Sequence, residues 1–195
     1  YSSNKKMTRL EVVNALWNYK NMPGTITSNK SSNEDIKTNQ DYIKTTIGYT
    51  DLGTSTYAND LDGIIWAYQK GIISKDTKFN PERICTRAEF IAMLYRLASS
   101  PTVSGTIPFT DVSSSSWYYN AVVWGYQEGI VKGSTSNTLN PTGELSKQEL
   151  AIFLYRYNSL SGNYPIRYNL NGGTASNPTT YSSTSSLTLK SPTRS

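Results

Sequence analysis

An internal repeat is the feature that most constrains how this chain folds. The segment "IIWAYQKGII" (residues 64–73) returns as "VVWGYQEGIV" (residues 122–131), and "YTDL" at Tyr49 returns sixty residues later as "FTDV" at Phe109. A third element, "MTRLEVVNALWNY", matches both "CTRAEFIAMLYRL" and "LSKQELAIFLYRY". Such self-similarity indicates a repeat architecture, in which each unit buries its apolar face against neighbouring units. The chain therefore contains two full units and the closing half of another.

The repeated elements carry helical patterns. Apolar residues spaced i, i+3, i+4, i+7 form one face of a helix. In the second copy of the longer element these residues are Phe90, Met93, Leu94 and Leu97. The shorter element ends in Lys-Gly-Ile or Glu-Gly-Ile, where Gly71 and Gly129 suit left-handed helix caps. The sequence therefore predicts an all-α repeat of helix pairs.

After residue 162 the pattern becomes alternating. Ile166, Tyr168 and Leu170 alternate with polar residues, an Asn-Gly-Gly turn follows at Asn171, and a second short alternation follows near Leu187. Alternation around such a turn is typical of two strands. Two short strands do not form a stable domain alone. A short β-rich tail is expected after the helices.

Composition excludes several kinds of chemistry. The chain has no histidine and a single cysteine, Cys85, so nucleophilic triads and most zinc sites are excluded. We expect Cys85 to be buried packing, and we predict no metal, cofactor or catalytic residue. The net charge of +5 favours an anionic partner. The basic residues are scattered, which argues against nucleic acid, and no apolar run is long enough for membrane insertion.

Three helix starts share a hydroxyl residue followed three positions later by glutamate. This is the pattern of a capping box, in which the hydroxyl and the carboxylate each accept a backbone N–H of the other residue. The three pairs are Thr8 and Glu11, Thr86 and Glu89, and Ser146 and Glu149. Capping is the interpretation that we favour for these six residues.

A cation follows each of these hydroxyl residues. Arg9, Arg87 and Lys147 fall in the first helical turn, where the helix dipole disfavours positive charge by about 0.3–1 kcal/mol. One interpretation is an anion site made of free helix N–H groups and a cationic side chain. The other is a structural pair with a nearby acid such as Asp51 or Asp111. The threefold recurrence favours an anionic ligand, with Arg87 and Arg9 expected to bind more strongly than Lys147.

The remaining candidates are aspartates and aromatic residues. Asp51 and Asp111 are expected to cap a helix or close a turn. Trp66 and Trp124 lie within apolar helical patterns and are expected in the core. Trp117 follows a run of four serines and is predicted to be exposed, either to stack on a sugar ring or to act as a hydrophobic anchor. No acid pair is left for a glycosidase, so the chain is not predicted to be an enzyme.

These motifs resemble S-layer homology (SLH) modules. The "F-T-D-V" opening, the Gly-Ile midpoint and the "T-R-A-E" helix start all occur in order in this chain. The resemblance implies a pseudo-threefold helical bundle that binds an acidic, often pyruvylated, secondary cell-wall polysaccharide through the cation and its neighbours at each helix start. On it we predict a ligand site from the helix-start residues together with Trp117. The helix-start residues are Thr8, Arg9, Glu11, Thr86, Arg87, Glu89 and Lys147.

The resemblance also suggests a domain organisation. It gives the closing half of a first module (1–23), a polar insertion (24–48), second and third modules (49–100 and 101–162) and a β-rich tail (163–195). The tail resembles the start of a Listeria–Bacteroides-type repeat, a β-grasp-like module of bacterial surface proteins. The prediction is an extracellular, non-catalytic anchor on a bacterial surface. The alternative is a structural or adhesive module that makes protein–protein contacts in an S-layer or surface adhesin.

Overall fold

The computed structural model describes residues 4–21, 33–53, 55–160, 163–165 and 180–182. Within these ranges the chain is mainly helical, which confirms the all-α prediction. The six α-helices are α1 (Arg9–Asn21), α2 (Asn33–Tyr42), α3 (Leu61–Gln69), α4 (Arg87–Leu97), α5 (Tyr119–Gln127) and α6 (Lys147–Leu160). A π-helical turn (Ile43–Ile47) continues α2, and a 3-10 turn (Ser55–Tyr57) precedes α3.

The longer repeated element forms α1, α4 and α6. Their predicted apolar stripes face a shared core, in which Leu16, Phe90 and Phe153 are buried. The rings of Phe90 and Phe153 lie 5.8 Å apart, so α4 and α6 meet at the centre of the molecule. Cys85 is also fully buried, and burial raises the pKa of its thiol to about 12. It is a packing residue, as the sequence indicates.

The three segments that lead into these helices are joined in a ring by backbone hydrogen bonds. The N–H of Met7 donates to the carbonyl of Leu145, that of Leu145 donates to Cys85, and that of Cys85 donates back to Met7, each at 2.9 Å. Isolated bridges join the same three segments in the same cyclic order. The residues of this ring occupy equivalent positions in the repeat. The bundle therefore has pseudo-threefold symmetry about the starts of α1, α4 and α6.

The shorter repeated element forms α3 and α5, which pack on long helices of the preceding unit. Gly63 of α3 lies so close to α1 that an added Cβ would be 2.8 Å from Oδ1 of Asn14. An added Cβ at Gly125 of α5 would lie 3.8 Å from Cγ2 of Ile91 in α4 and 2.5 Å from Cγ2 of Val131. Gly71 and Gly129 follow these helices with φ of 67° and 69°, which confirms the predicted left-handed caps. Each short helix thus links two successive units.

Two segments differ from their sequence patterns. Within the polar insertion, residues 33–47 are helical, and Ile43 and Ile47 are buried in the core. In the tail, β1 (Asn163–Pro165) pairs antiparallel with β2 (Thr180–Ser182). The predicted strands around Ile166 and Leu187, and the turn at Asn171, lie outside the described residues.

Candidate ligand site at the helix starts

All three capping boxes are present. Oγ1 of Thr86 accepts the N–H of Glu89 at 3.3 Å, and the Glu89 carboxylate accepts the N–H of Thr86 at 2.8 Å. Thr8 and Glu11 form the same pair of bonds at 3.2 and 2.9 Å. The third start does so through Ser146, whose Oγ accepts the Glu149 N–H at 3.2 Å. The capping interpretation of the hydroxyl and glutamate residues is confirmed.

The backbone N–H groups of the three helix-start cations are not free, contrary to the expectation behind the anion site. The N–H of Arg9 donates to the carbonyl of Arg83, and that of Arg87 to the carbonyl of Gly143, each at 2.9 Å. The N–H of Lys147 donates to Lys5 at 2.8 Å. The segment leading into the next unit thus satisfies these three donors, so each of these cations can contact an anion through its side chain but not through its own N–H.

Arg87 has the structural partners that the sequence did not reveal. It is 5% exposed, its Nε donates to the carbonyl of Leu139 at 2.9 Å, and its Nη1 forms an ion pair with Glu149. Its guanidinium carbon also lies 5.6 Å from the centre of the Phe153 ring. Arg87 therefore forms a structural pair, the second of the two interpretations that the sequence left open. The acid that pairs with it is the capping glutamate of the next unit, and neither Asp51 nor Asp111.

Arg9 repeats this arrangement one unit earlier. Its Nε donates to the carbonyl of Phe79 at 2.9 Å, and its Nη1 lies 3.1 Å from Oε1 of Glu89. Its guanidinium carbon is 5.2 Å from the Phe79 ring. Glu89, however, also accepts an ion pair from Arg83, whose side chain is 44% exposed. Two arginines thus converge on one carboxylate.

At the third contact between units, where the start of α6 meets the start of α1, lysines take the place of the arginines. Glu11 forms an ion pair with Lys5, whose side chain is 59% exposed, and the charge of Lys147 also acts on Glu11. Lys147 itself is exposed. Each helix-start cation therefore faces the capping glutamate of the next unit, in the order Arg9 to Glu89, Arg87 to Glu149 and Lys147 to Glu11.

The three glutamates are held ionised by these contacts. Burial raises the pKa of Glu89, but hydrogen bonds from Arg83 and the Thr86 backbone, with the charge of Arg9, outweigh burial and hold that pKa below its ordinary value. The pKa of Glu149 is lowered in the same way against its burial, by its bonds with Ser146 and by Arg87. The pKa of Glu11 is likewise lowered against its burial, by Lys5 and by the Thr8 backbone N–H. All three carboxylates are therefore charged at neutral pH, as the ion pairs require.

Sequence reasoning missed a second cation at two of the three unit contacts. Lys5, Arg83 and Gly143 occupy the same repeat position, four residues before Arg9, Arg87 and Lys147 respectively. Among the described residues, Glu89 forms ion pairs with Arg9 and Arg83, and Glu11 lies near Lys5 and Lys147, whereas Glu149 pairs with Arg87 alone. Two contacts have surplus positive charge and the third is balanced. Comparing the copies position by position would have revealed this difference.

The other predicted residues have structural roles or lie on other elements. The carboxylate of Asp111 accepts the N–H groups of Leu139 and Asn140 at 2.8 and 2.7 Å, and Asp51 holds the equivalent loop of the second unit. The turn-closing prediction for both aspartates is confirmed. Trp124 is buried, whereas Trp117 is 65% exposed in the loop before α5, with its ring 5.3 Å from that of Tyr118.

The chain is therefore a helical repeat domain. Its three long helices start from a closed ring, and at each contact between units a cation lies beside a capping glutamate. Comparison with known families then identifies the repeat. Residues 48–91 and 108–151 match the S-layer homology domain, and they are two S-layer homology repeats. None of the comparisons supports the resemblance of the tail to a Listeria–Bacteroides-type repeat.

Curated relatives include enzymes and surface-layer proteins. The chain is 36% identical over 87 residues to an amylopullulanase of Thermoanaerobacterium thermosulfurigenes, which is 44% of this chain and 5% of that protein. It is 36% identical over 75 residues to endo-1,4-beta-xylanase A of Thermoanaerobacterium saccharolyticum, covering 38% of this chain and 6% of that protein. It is 31% identical over 94 residues to the surface-layer 125 kDa protein of Lysinibacillus sphaericus. The match covers 47% of this chain and 8% of that protein.

These similarities bear on location and on catalysis. The enzymes match this chain only in their S-layer homology region, which is a non-catalytic anchoring module. S-layer homology domains anchor proteins to the cell wall, and together with the S-layer relatives they indicate the cell surface, in the cell wall or the S-layer. In the described part of the chain, no helix has the length and apolar character needed to cross a bilayer.

Proposed function

We propose that this chain anchors a bacterial surface protein non-covalently by binding an anionic, pyruvylated secondary cell-wall polysaccharide, and that it carries no catalytic activity of its own. The observation that carries the proposal is the surplus of positive charge at two unit contacts. Arg9 and Arg83 face Glu89, and Lys5 faces Glu11 with Lys147 beside it. A carboxylate of the polymer replaces the missing negative charge.

The geometry supports a different order of binding from the one that the sequence favours. Arg87 is buried and its charge is balanced by Glu149, so it offers little surface to a polysaccharide. Arg83 is the more exposed of the two arginines at Glu89, and Lys5 and Lys147 are both exposed at Glu11. We assign the polymer contact to these four residues. An arginine fork also suits a carboxylate better than an ammonium group does, so the contact at Glu89 should bind more tightly.

A pull-down on purified cell walls tests this assignment. Arg83→Gln and Lys5→Gln should each reduce retention, while Lys70→Gln, which removes an exposed charge after α3, should not. Retention should fall with increasing salt and disappear when the secondary polymer is chemically removed from the walls. Full retention by the double variant Lys5→Gln/Arg83→Gln, or on stripped walls, would rule the proposal out.

The alternative function is a protein–protein contact of an S-layer or surface adhesin. The exposed ring of Trp117 favours it, because a large aromatic side chain is a frequent anchor of interfaces. Trp117→Ser should abolish such a contact, and salt should change it little. Loss of wall retention in Trp117→Ser with normal retention in Arg83→Gln would favour this alternative.

A further inference from the structure

The three contacts between units differ in how far water reaches their ion pairs. At the contact of α4 with α6, the side chain of Arg87 is 6% exposed, and at the contact of α1 with α4, that of Arg9 is 17% exposed. The contact of α6 with α1 is called the seam here and consists of residues 5–11 facing residues 145–149. At the seam the side chain of Lys5 is 59% exposed. Because water and salt screen exposed pairs, the ion pair at the seam contributes least to holding the ring closed.

A short helix ties the units together at the other two contacts. The guanidinium of Arg96 in α4 donates to the carbonyl of Ile72, which follows α3, at 2.9 Å. Arg156 in α6 donates to the carbonyl of Ile130, which follows α5, at 3.1 Å. Because α3 packs on α1 and α5 packs on α4, these bonds fasten α1 to α4 and α4 to α6. The same repeat position in α1 is Asn18, which has no guanidinium to make this bond at the seam.

The far ends of α1 and α6 meet in an aromatic contact. The rings of Tyr19 and Tyr157 lie 6.1 Å apart, and the hydroxyl of Tyr19 donates to Oδ1 of Asn158 at 3.0 Å. Both rings are partly buried, so this contact is better shielded from water than the lysine contact at the helix starts. The joint between α1 and α6 therefore has a shielded end at the tyrosines and an exposed end at the seam.

We propose that the ring opens locally at the seam and that the anionic polymer closes it, an inference that rests on the proposed function. Lys5 lies on the α1 side of the seam and Lys147 on the α6 side, and both act on the Glu11 carboxylate. A polymer carboxylate that binds both lysines bridges the two sides, so it binds only the closed form. A ligand that binds one of two states shifts the population toward that state. Polymer therefore stabilises the seam more than it stabilises the contact of α4 with α6.

Hydrogen exchange of single amides, followed by NMR, tests this at matched positions. The N–H groups of Met7 and Lys147 cross the seam, and those of Arg87 and Leu145 make the equivalent bonds between α4 and α6, all at 2.8 to 2.9 Å. In the free chain we expect protection factors about tenfold lower for the two seam amides. Soluble secondary polymer released from purified cell walls should remove this difference, and neutral dextran should not.

A disulfide across each contact provides a matched pair of variants. Lys6 pairs with Ser146 across the seam, and Glu144 pairs with Thr86 between α4 and α6, both as antiparallel bridges. The flanking hydrogen bonds make each pair a non-hydrogen-bonded one, whose Cα atoms lie about 4.5 Å apart and suit a disulfide. Oxidised Lys6→Cys/Ser146→Cys should protect Met7 without polymer and gain no more with it. Oxidised Glu144→Cys/Thr86→Cys should respond to polymer as the wild type does.

The outcomes separate this inference from the proposed function. Cys85 is buried and does not compete for these disulfides. Lys5→Gln should lose the selective effect of polymer at the seam and keep the part of its wall retention that depends on Arg83. Equal protection at both contacts in the free chain, or an equal effect of polymer on both, would overturn the inference and leave the proposed function standing. A wild-type chain that is not retained on cell walls would refute the proposed function and this inference with it.

Discussion

Replacing Arg87 by methionine tests the structural role of the helix-start cation. Methionine keeps most of the aliphatic length but removes three interactions of the guanidinium group. These are the 2.9 Å hydrogen bond to the carbonyl of Leu139, the ion pair with Glu149 and the contact with the Phe153 ring. Since Arg87 joins α4 to the next unit, we expect the variant to be less stable.

The size of the loss follows from what remains after the substitution. A hydrogen bond to a charged group contributes about 1.5–3 kcal/mol. The Leu139 carbonyl keeps the Ser134 hydroxyl at 3.0 Å, and Glu149 keeps its bonds with Ser146 and is one-third exposed to water. The loss is therefore smaller than the roughly 3–5 kcal/mol of a fully buried pair. We expect about 2 kcal/mol, which lowers the melting temperature of a chain this size by about 4–8 °C.

Urea and thermal unfolding followed by circular dichroism measure this loss. A double-mutant cycle with Glu149→Gln should give a coupling of about 1–2 kcal/mol. Arg9→Met should cost less, because Glu89 keeps its ion pair with Arg83. Binding of Arg87→Met to cell walls, measured on the folded protein, should be unchanged. Wild-type stability of Arg87→Met, or lost wall binding by the folded variant, would refute this reasoning and make Arg87 a ligand-binding residue.

Three further predictions concern acid, a loop and the turn glycines. Stability should fall as the pH drops below about 4.5, because the carboxyl of Glu89 has a lowered pKa in the folded state and its contribution is lost on protonation. Urea midpoints measured over a series of pH values should therefore depend less on pH in Glu89→Gln than in the wild type. Asp111→Asn should cost about 1–2 kcal/mol in urea unfolding, because its carboxylate accepts two backbone N–H groups. Gly133→Ala should lower the melting temperature more than Gly129→Ala. A Cβ at Gly133 would lie 2.1 Å from the carbonyl oxygen of Thr135, whereas a Cβ at Gly129 meets no atom within 4 Å and is opposed only by the left-handed φ of 69°.

Local features of this fold could be predicted because their causes lie within a few residues. The spacing of Thr86 and Glu89 fixes a capping box, and Gly71 ends a helix by its own backbone freedom. The burial of Ile43 could not be predicted in the same way. It lies in a polar segment, and its side chain is buried only because the π-helical turn packs against the rest of the bundle.

The partners of Arg87 were beyond sequence reasoning for a related reason. Its acid lies 62 residues along the chain, and the carbonyl that it binds lies 52 residues along. No local pattern connects such positions. Only the repeat does so, since a contact between one pair of units implies the same contact between the next pair.

The unfavourable placement of a cation at a helix start therefore has an explanation in the contact between units. The cost at its own helix, about 0.3–1 kcal/mol, is offset by a hydrogen bond and an ion pair to the next unit. Recurrence of this cation then reflects the closed ring and by itself is weak evidence for a ligand. The informative position is four residues earlier, where Lys5, Arg83 and Gly143 differ while the ring contact stays the same. Variation at a position that the fold does not require is where binding of an anionic polymer can be tuned without loss of stability.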